Sequence, residues 1–174
     1  MSDEAPVIIE SIEEFLVHAL ELEEASHEQY EELADTMEVH NNLEVAELFR
    51  KLSNYSRLHA EEVRERAKDH TLPEITPWDF KWKCPSAPEA FCMEDANYLM
   101  TTTQALEIAL FNEIRGRDFY QEVADNSPDP AVSKMAQEMV EEENWHVEML
   151  KEWQNGMQQE PPPLEDLDPP NTPE

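Results

Sequence analysis

The segment EEENWHVEML, residues 141–150, places His146 three residues after Glu143. Positions three apart lie on one face of an α-helix, so this carboxylate and this imidazole can reach the same ion. Carboxylate oxygens and imidazole nitrogens both ligate metals. The spacing therefore predicts a metal-binding pair that points into the protein. The alternative is a pair of polar residues on a solvated helix face.

Four segments of the chain carry apolar residues at intervals of three or four, which is the period of a helix that faces a core. Each stripe is apolar at both ends and polar in the middle. The central polar residues are Glu23, His27 and Tyr30; Ser56 and His59; Glu113, Arg117 and Tyr120; Glu143 and His146. Four antiparallel helices would bring these side chains to about one level inside a bundle.

Burying such groups without partners would cost several kcal/mol each, so they must pair with one another or ligate a metal. Three carboxylates and two imidazoles at one level form the ligand set of a di-metal centre. The five candidate ligands are Glu23, His59, Glu113, Glu143 and His146. A buried network of ion pairs is the other interpretation.

An internal repeat supports this arrangement. The segment ALELEEASHEQYEELAD aligns with ALFNEIRGRDFYQEVAD at an offset of 90, and the second predicted helix aligns with the fourth at an offset of 87. Two similar hairpins would place equivalent residues around a pseudo-twofold axis. The matched pairs are Glu23 with Glu113, Tyr30 with Tyr120 and His59 with His146.

The elements that position these residues are expected to be helices, because the chain has only 2 glycines and is rich in Glu, Leu and Ala. Helices are predicted over about 11–36, 42–69, 102–125 and 129–157. Short turns within each pair and a proline-containing connection, 71–95, predict an all-α antiparallel four-helix bundle of two hairpins. The bundle is expected over 1–158, with a disordered proline-rich acidic tail over 159–174.

The net charge of −29 argues against binding to nucleic acid or to an anionic membrane, since both need a basic surface. No apolar run is long enough for a membrane span, and no secretory leader is recognisable. The two cysteines, Cys84 and Cys92, form no CxxC pair. We therefore expect a cytoplasmic protein.

The remaining histidines, His18, His40 and His70, are interpreted as surface residues.

The chain resembles the rubrerythrin branch of the ferritin-like superfamily, without the rubredoxin-like domain. The residues that carry the resemblance are a Glu with a Tyr seven later in two helices, RLHAEEV around His59, and EEENWHVEML. The resemblance implies a ferritin-like bundle and a non-haem di-iron centre held by the five candidate ligands, with Tyr30 and Tyr120 bonded near the carboxylates. It also implies reaction with peroxide, oxygen or ferrous iron, an external electron donor, and a homo-oligomer, most simply a dimer.

The chain departs from the family pattern at several positions. Ser56 stands where the family places a bridging glutamate, Gly116 stands where rubrerythrins carry another glutamate, and Arg117 adds a positive charge to an inward stripe. His27 is the candidate to replace the lost carboxylate, which would favour zinc, iron(II) or copper. The alternative is that His27 is a hydrogen-bonded core histidine. Manganese is also compatible with the carboxylates.

Two function classes therefore remain open, with a weaker third. The first is an iron-dependent oxidoreductase, such as a peroxidase or ferroxidase. The second is a non-catalytic protein that binds or stores iron or zinc, and the third is a metal-free scaffold in which Arg117 neutralises the buried glutamates.

Overall fold

A computed structural model of the chain describes residues 5–82 and 99–159, and this part of the chain is helical without strands. The helices are α1 Ile12–Val39, α2 Leu43–Ala67, α3 Thr102–Asn126 and α4 Pro130–Gln159. The all-α class and the two hairpins, α1 with α2 and α3 with α4, are confirmed. Most of the predicted tail and the later part of the connection lie outside the described residues. None of the four helices combines the length and apolar character needed to cross a membrane.

Side-chain caps define where two of the helices begin. The Ser11 hydroxyl accepts a hydrogen bond from the backbone N–H of Glu14 at 3.1 Å, which caps the start of α1. The Glu14 carboxylate accepts from the N–H of Glu10 and not from that of Ser11, so this cap is not a complete capping box. A complete capping box starts α3, where Thr101 and Gln104 bond each other's backbone N–H groups.

The apolar core is divided in two by the polar middle of the stripes. One cluster includes Phe15, Leu16, Val63, Phe119 and Val132. The other includes Leu33, Phe49, Leu52, Leu106 and Leu150. Along every helix the candidate ligands fall between these two clusters, so packed hydrocarbon lies on both sides of them.

Between the two hairpins, side chains join α2 to α4 and α1 to α3, and the helix backbones also approach between α2 and α3 and between α1 and α4. Tyr55 of α2 contacts Trp145 of α4 edge to face, with ring centroids 5.8 Å apart. Phe15 of α1 packs edge-on against Tyr120 of α3 at 6.0 Å. Side chains of α2 and α4 therefore meet across the site.

The interpretation of His18 as a surface residue is wrong. Its side chain is fully buried, with Nδ1 2.9 Å from the carbonyl oxygen of Glu14 and Nε2 accepting the N–H of Lys81 at 3.0 Å. Phe80 and Trp82, from the PWDFKW stretch, pack edge-on against its ring. The start of the connection thus folds over the end of the bundle, and the imidazole supplies the polar link between them.

Replacing His18 with alanine should destabilise the protein by about 2–3 kcal/mol, because a buried backbone N–H loses its acceptor and an aromatic cluster loses its centre. His40→Ala, at an exposed position, is the matched control and should change stability by less than about 0.5 kcal/mol. Urea unfolding of the metal-free proteins measures both. Equal stability of the two variants would contradict a structural role for His18.

Candidate metal centre

The structure brings all five predicted ligand residues together between the two core clusters. The side chains of Glu23 and Glu143 are each 1 % exposed, and that of Glu113 is 4 % exposed. His146 is 7 % exposed and His59, the outermost member, 14 %. Three carboxylates and two imidazoles are therefore removed almost completely from water.

His59 faces one pair of these carboxylates through Nδ1. This nitrogen lies 3.6 Å from Oε2 of Glu23 and 3.7 Å from Oε1 of Glu143. The three residues come from α2, α1 and α4, so one triad draws on three helices.

His146 faces a second pair in the same way. Its Nδ1 lies 3.2 Å from Oε2 of Glu113 and 3.4 Å from Oε2 of Glu143. The two triads share Glu143, whose two oxygens turn toward different histidines. The rings of His59 and His146 stack with centroids 4.8 Å apart, so the two triads are adjacent.

The two tyrosines hold the outer oxygens of the other carboxylates. Tyr120 donates to Oε1 of Glu23 at 3.0 Å, and Tyr30 donates to Oε1 of Glu113 at 3.0 Å. Each bond fixes one oxygen and leaves the second oxygen facing a histidine. Because the repeat equates Tyr30 with Tyr120 and Glu23 with Glu113, these reciprocal bonds are those of a pseudo-twofold arrangement.

Several buried atoms in this cluster have no hydrogen-bond partner. They are both carboxylate oxygens of Glu143 and Nδ1 of His59. Ligand atoms of His59, Glu143 and His146 lie within 4.8 Å of one another. Buried polar atoms without partners are costly, and a cation among them would satisfy all three at once. The arrangement fits a metal centre.

Burial and close ionic contacts together set the protonation of the metal-free cluster. Burial alone lowers the pKa of His59, but Glu143 and Glu23 raise it to about 11; in the same way Glu113 and Glu143 raise the pKa of His146 to about 10. Burial raises the pKa of Glu23 to about 7 and also raises that of Glu113. Glu143 is equally buried, yet His146 and His59 hold its pKa near 2. Without metal, two imidazolium ions therefore balance two of the three carboxylate charges.

Two residues of the predicted stripes are placed elsewhere. His27 lies between α1 and α2 with Nδ1 2.8 Å from the hydroxyl of Ser53, outside both triads. Arg117 extends toward the surface, where its guanidinium contacts Asp118 at 3.1 Å and Asn144 at 3.4 Å. His27 is thus hydrogen-bonded within the first hairpin, and the guanidinium of Arg117 makes no contact with the buried glutamates, so a ligand role for His27 stays a prediction. Each residue turns a helix by about 100°, so the spacing places both residues near the edge of the inward face. Spacing alone does not decide whether a residue at that edge points inward or outward.

Ser56 is buried beside the centre, but its hydroxyl is engaged within the first hairpin. It lies 2.9 Å from the hydroxyl of Ser26 and donates to the carbonyl oxygen of Leu52 at 3.3 Å. The repeat equates Ser56 with Glu143 and Ser26 with Gly116. Where the second hairpin combines a glutamate with a glycine, the first combines two serines that bond each other.

Sequence reasoning missed one residue, Glu142. Its Oε2 is buried, has no hydrogen-bond partner and lies 3.8 Å from Nε2 of His59. Glu142 is one of three consecutive glutamates at 141–143, and the sequence does not show which of them is solvated. Its place opposite α2 depends on how the two hairpins pack.

The profile of the Rubrerythrin family matches residues 14–99 and 104–171, which together cover most of the chain. The chain belongs to the rubrerythrin family. It is also similar to the crystal structure of an uncharacterized conserved protein from Magnetospirillum magnetotacticum MS-1. The sequences are 41% identical, the match covers 84% of this chain and 95% of that one, and the TM-score is 0.67. No curated protein matches the chain.

This member of the rubrerythrin family should lose stability in its metal-free form as the pH rises from about 6.5 to about 10. The raised pKa values of His59 and His146 favour the folded state fully below the unfolded-state value, and that contribution disappears as the pH approaches 10 to 11. The raised pKa of Glu23, about 7, causes a separate loss of stability that is almost complete by pH 7, at the lower end of this range. Unfolding in urea across this pH range measures it.

The matched comparison is the double variant His59→Leu/His146→Leu, which should lack the part of the pH dependence that the imidazoles cause. His40→Leu, at an exposed site, should keep the wild-type profile. A metal-free wild type whose stability rises over this range relative to the double variant would contradict the assigned charges.

Proposed function

We propose that this protein binds two iron ions at the centre of the bundle and acts as a rubrerythrin-like oxidoreductase on peroxide, oxygen or ferrous iron. The observation that carries the proposal is the shared carboxylate of Glu143, with both oxygens buried, unpartnered and directed at different histidines. A single carboxylate between two triads is the arrangement that bridges a pair of cations.

The residues divide into two ligand groups. Glu23 and His59 would hold one ion, and Glu113 and His146 would hold the other, each together with one oxygen of Glu143. Each ion would then have three protein ligands, which leaves coordination positions for a substrate. Loading requires His59 and His146 to release their protons, because only the neutral imidazole offers a lone pair to a metal.

A bound iron pair would pass electrons to peroxide or oxygen, and an external donor or ferrous iron would resupply them. The chain's own contribution is to fix the ligands and to balance charge. Tyr30 and Tyr120 hold one oxygen of Glu113 and of Glu23, so the carboxylates approach the ions in a defined orientation. The apolar clusters on both sides limit the access of water, which strengthens every charge interaction within the centre.

A non-catalytic metal-binding role is the second candidate. It is favoured by Ser56, because the first hairpin offers no second bridging carboxylate to balance an oxidised iron pair. His59, Glu143 and His146 alone could hold one ion as a two-histidine, one-carboxylate site, which suits zinc as well as iron(II). Manganese would rely mainly on the carboxylates.

The proposal also covers the electron donor, the cellular location and the oligomeric state of the protein. An enzyme of this type needs an external electron donor, since the two cysteines form no CxxC pair that could carry electrons to the centre. We propose a cytoplasmic homodimer with no nucleic-acid or membrane partner.

Anaerobic reconstitution with iron(II) should load about two ions per chain. Glu143→Ala/His146→Ala should bind less than about one, because the shared bridge and one terminal ligand are lost. His27→Ala is the matched control: it removes an imidazole of the same bundle that lies outside both triads, and it should load like the wild type. Elemental analysis after desalting gives the stoichiometry.

A wild type that retains no iron, zinc or manganese after reconstitution would contradict the metal-binding proposal and favour a buried ion-pair network. One ion per chain, lost in His59→Ala as well as in His146→Ala, would favour the mononuclear alternative.

Iron-loaded protein should consume hydrogen peroxide when an electron donor such as ascorbate is present, and zinc-loaded protein should not, because zinc has no redox chemistry. The rate should fall at least about tenfold in Glu143→Gln, which cannot bridge the ions as an anion. Peroxide loss is followed optically at equal protein concentration. Equal rates for the iron-loaded and zinc-loaded forms would leave only the binding role.

A further inference from the structure

His59 presents its two ring nitrogens to different surroundings. Nδ1 faces the interior of the centre, between Glu23 and Glu143. Nε2 lies on the far side of the ring, 3.8 Å from Oε2 of Glu142. That oxygen is buried and has no hydrogen-bond partner, although the side chain as a whole is 31 % exposed.

A neutral imidazole that binds a metal through one nitrogen carries its proton on the other. In metal sites this outer N–H donates to a carboxylate, a carbonyl or water, which fixes both the tautomer and the orientation of the ring. For His59 the outer nitrogen is Nε2, and the acceptor in front of it is Glu142. A movement of about 1 Å brings the two atoms from 3.8 Å to ordinary hydrogen-bond distance.

We propose that Glu142 is the positioning residue for His59: it accepts a hydrogen bond from Nε2–H and so presents Nδ1 to the metal. The inference rests on the proposed metal-binding function. Glu142 itself is not a ligand in this arrangement, because the imidazole ring stands between its carboxylate and the interior of the centre.

The repeat shows that a carboxylate lies behind the histidine in one half of the centre only. The offset of 87 equates Glu142 with Tyr55, and the ring of Tyr55 stands 5.4 Å from the ring of His146. One histidine therefore has an acidic neighbour where its counterpart has an aromatic one. The acidic neighbour lies on the side of Ser56, where the bridging carboxylate of the family pattern is missing. The carboxylate of Glu142 adds negative charge to that half of the centre, where it polarises the imidazole of His59.

Zinc alone is the probe for the test, since it is diamagnetic and binds both histidines and carboxylates. Chelator competition should show that Glu142→Leu weakens the position holding His59 by about 10- to 100-fold, while the position holding His146 keeps its affinity. Glu142→Gln keeps an acceptor without the charge and should show a smaller loss. Glu141→Gln removes the same charge from the exposed neighbouring residue and should bind zinc like the wild type.

Nitrogen-15 NMR of the histidine side chains supplies a readout that a general loss of stability would not move. In the zinc-loaded wild type, His59 should be bound through Nδ1 and protonated at Nε2, with a downfield Nε2–H proton. This proton should shift upfield in Glu142→Gln, while the resonances of His146 stay in place.

The outcomes separate the two proposals. A wild type that binds no zinc, iron or manganese overturns the metal-binding function and this inference with it. Zinc binding that is the same in the wild type and in both Glu142 variants, or coordination of His59 through Nε2, overturns the inference alone.

Discussion

The burial of three carboxylates at one level of a helical bundle is the constraint on which the rest of this structure depends. Each charge has left water, so each must be balanced within a few ångströms. In the metal-free protein the balance comes from two histidines, and Tyr30 and Tyr120 bond the outer oxygens. Apolar clusters above and below keep the layer dry. The same burial that makes the layer costly without a cation is what favours the proposed binding of a cation there.

The pseudo-twofold relation explains both the order of the centre and its departures from symmetry. Reciprocal tyrosine–glutamate bonds and paired histidines follow the repeat, and each triad takes one glutamate from α1 or α3. The symmetry ends where Ser56 replaces a glutamate, and the single bridge must come from Glu143. The two triads therefore have chemically different surroundings, because the first hairpin has Ser56 where the second has Glu143, and the outer face of His59 meets Glu142.

Sequence patterns predicted the fold because the repeated helical period and the turns between helices are local properties of the chain. The four helices lie within a turn of their predicted positions, and the hairpins form as expected. The placement of the five candidate ligand residues was predictable for the same reason, since buried glutamates and histidines in register have few alternatives. His18 was misread because its partner, the N–H of Lys81, comes from a connection whose path no local pattern indicates.

By itself the sequence determined which residues form helices, which positions repeat, and which polar side chains lie at mid-bundle, because these follow from periodicity along one chain. Only the tertiary structure decided which oxygen faces which nitrogen. A rotation of a fraction of a turn, set by packing between helices, directs His27 to Ser53 and Arg117 to the surface, and brings Glu142 to His59. For a residue near the edge of a helix face, packing decides whether the side chain is buried, because its burial depends on the neighbouring helix.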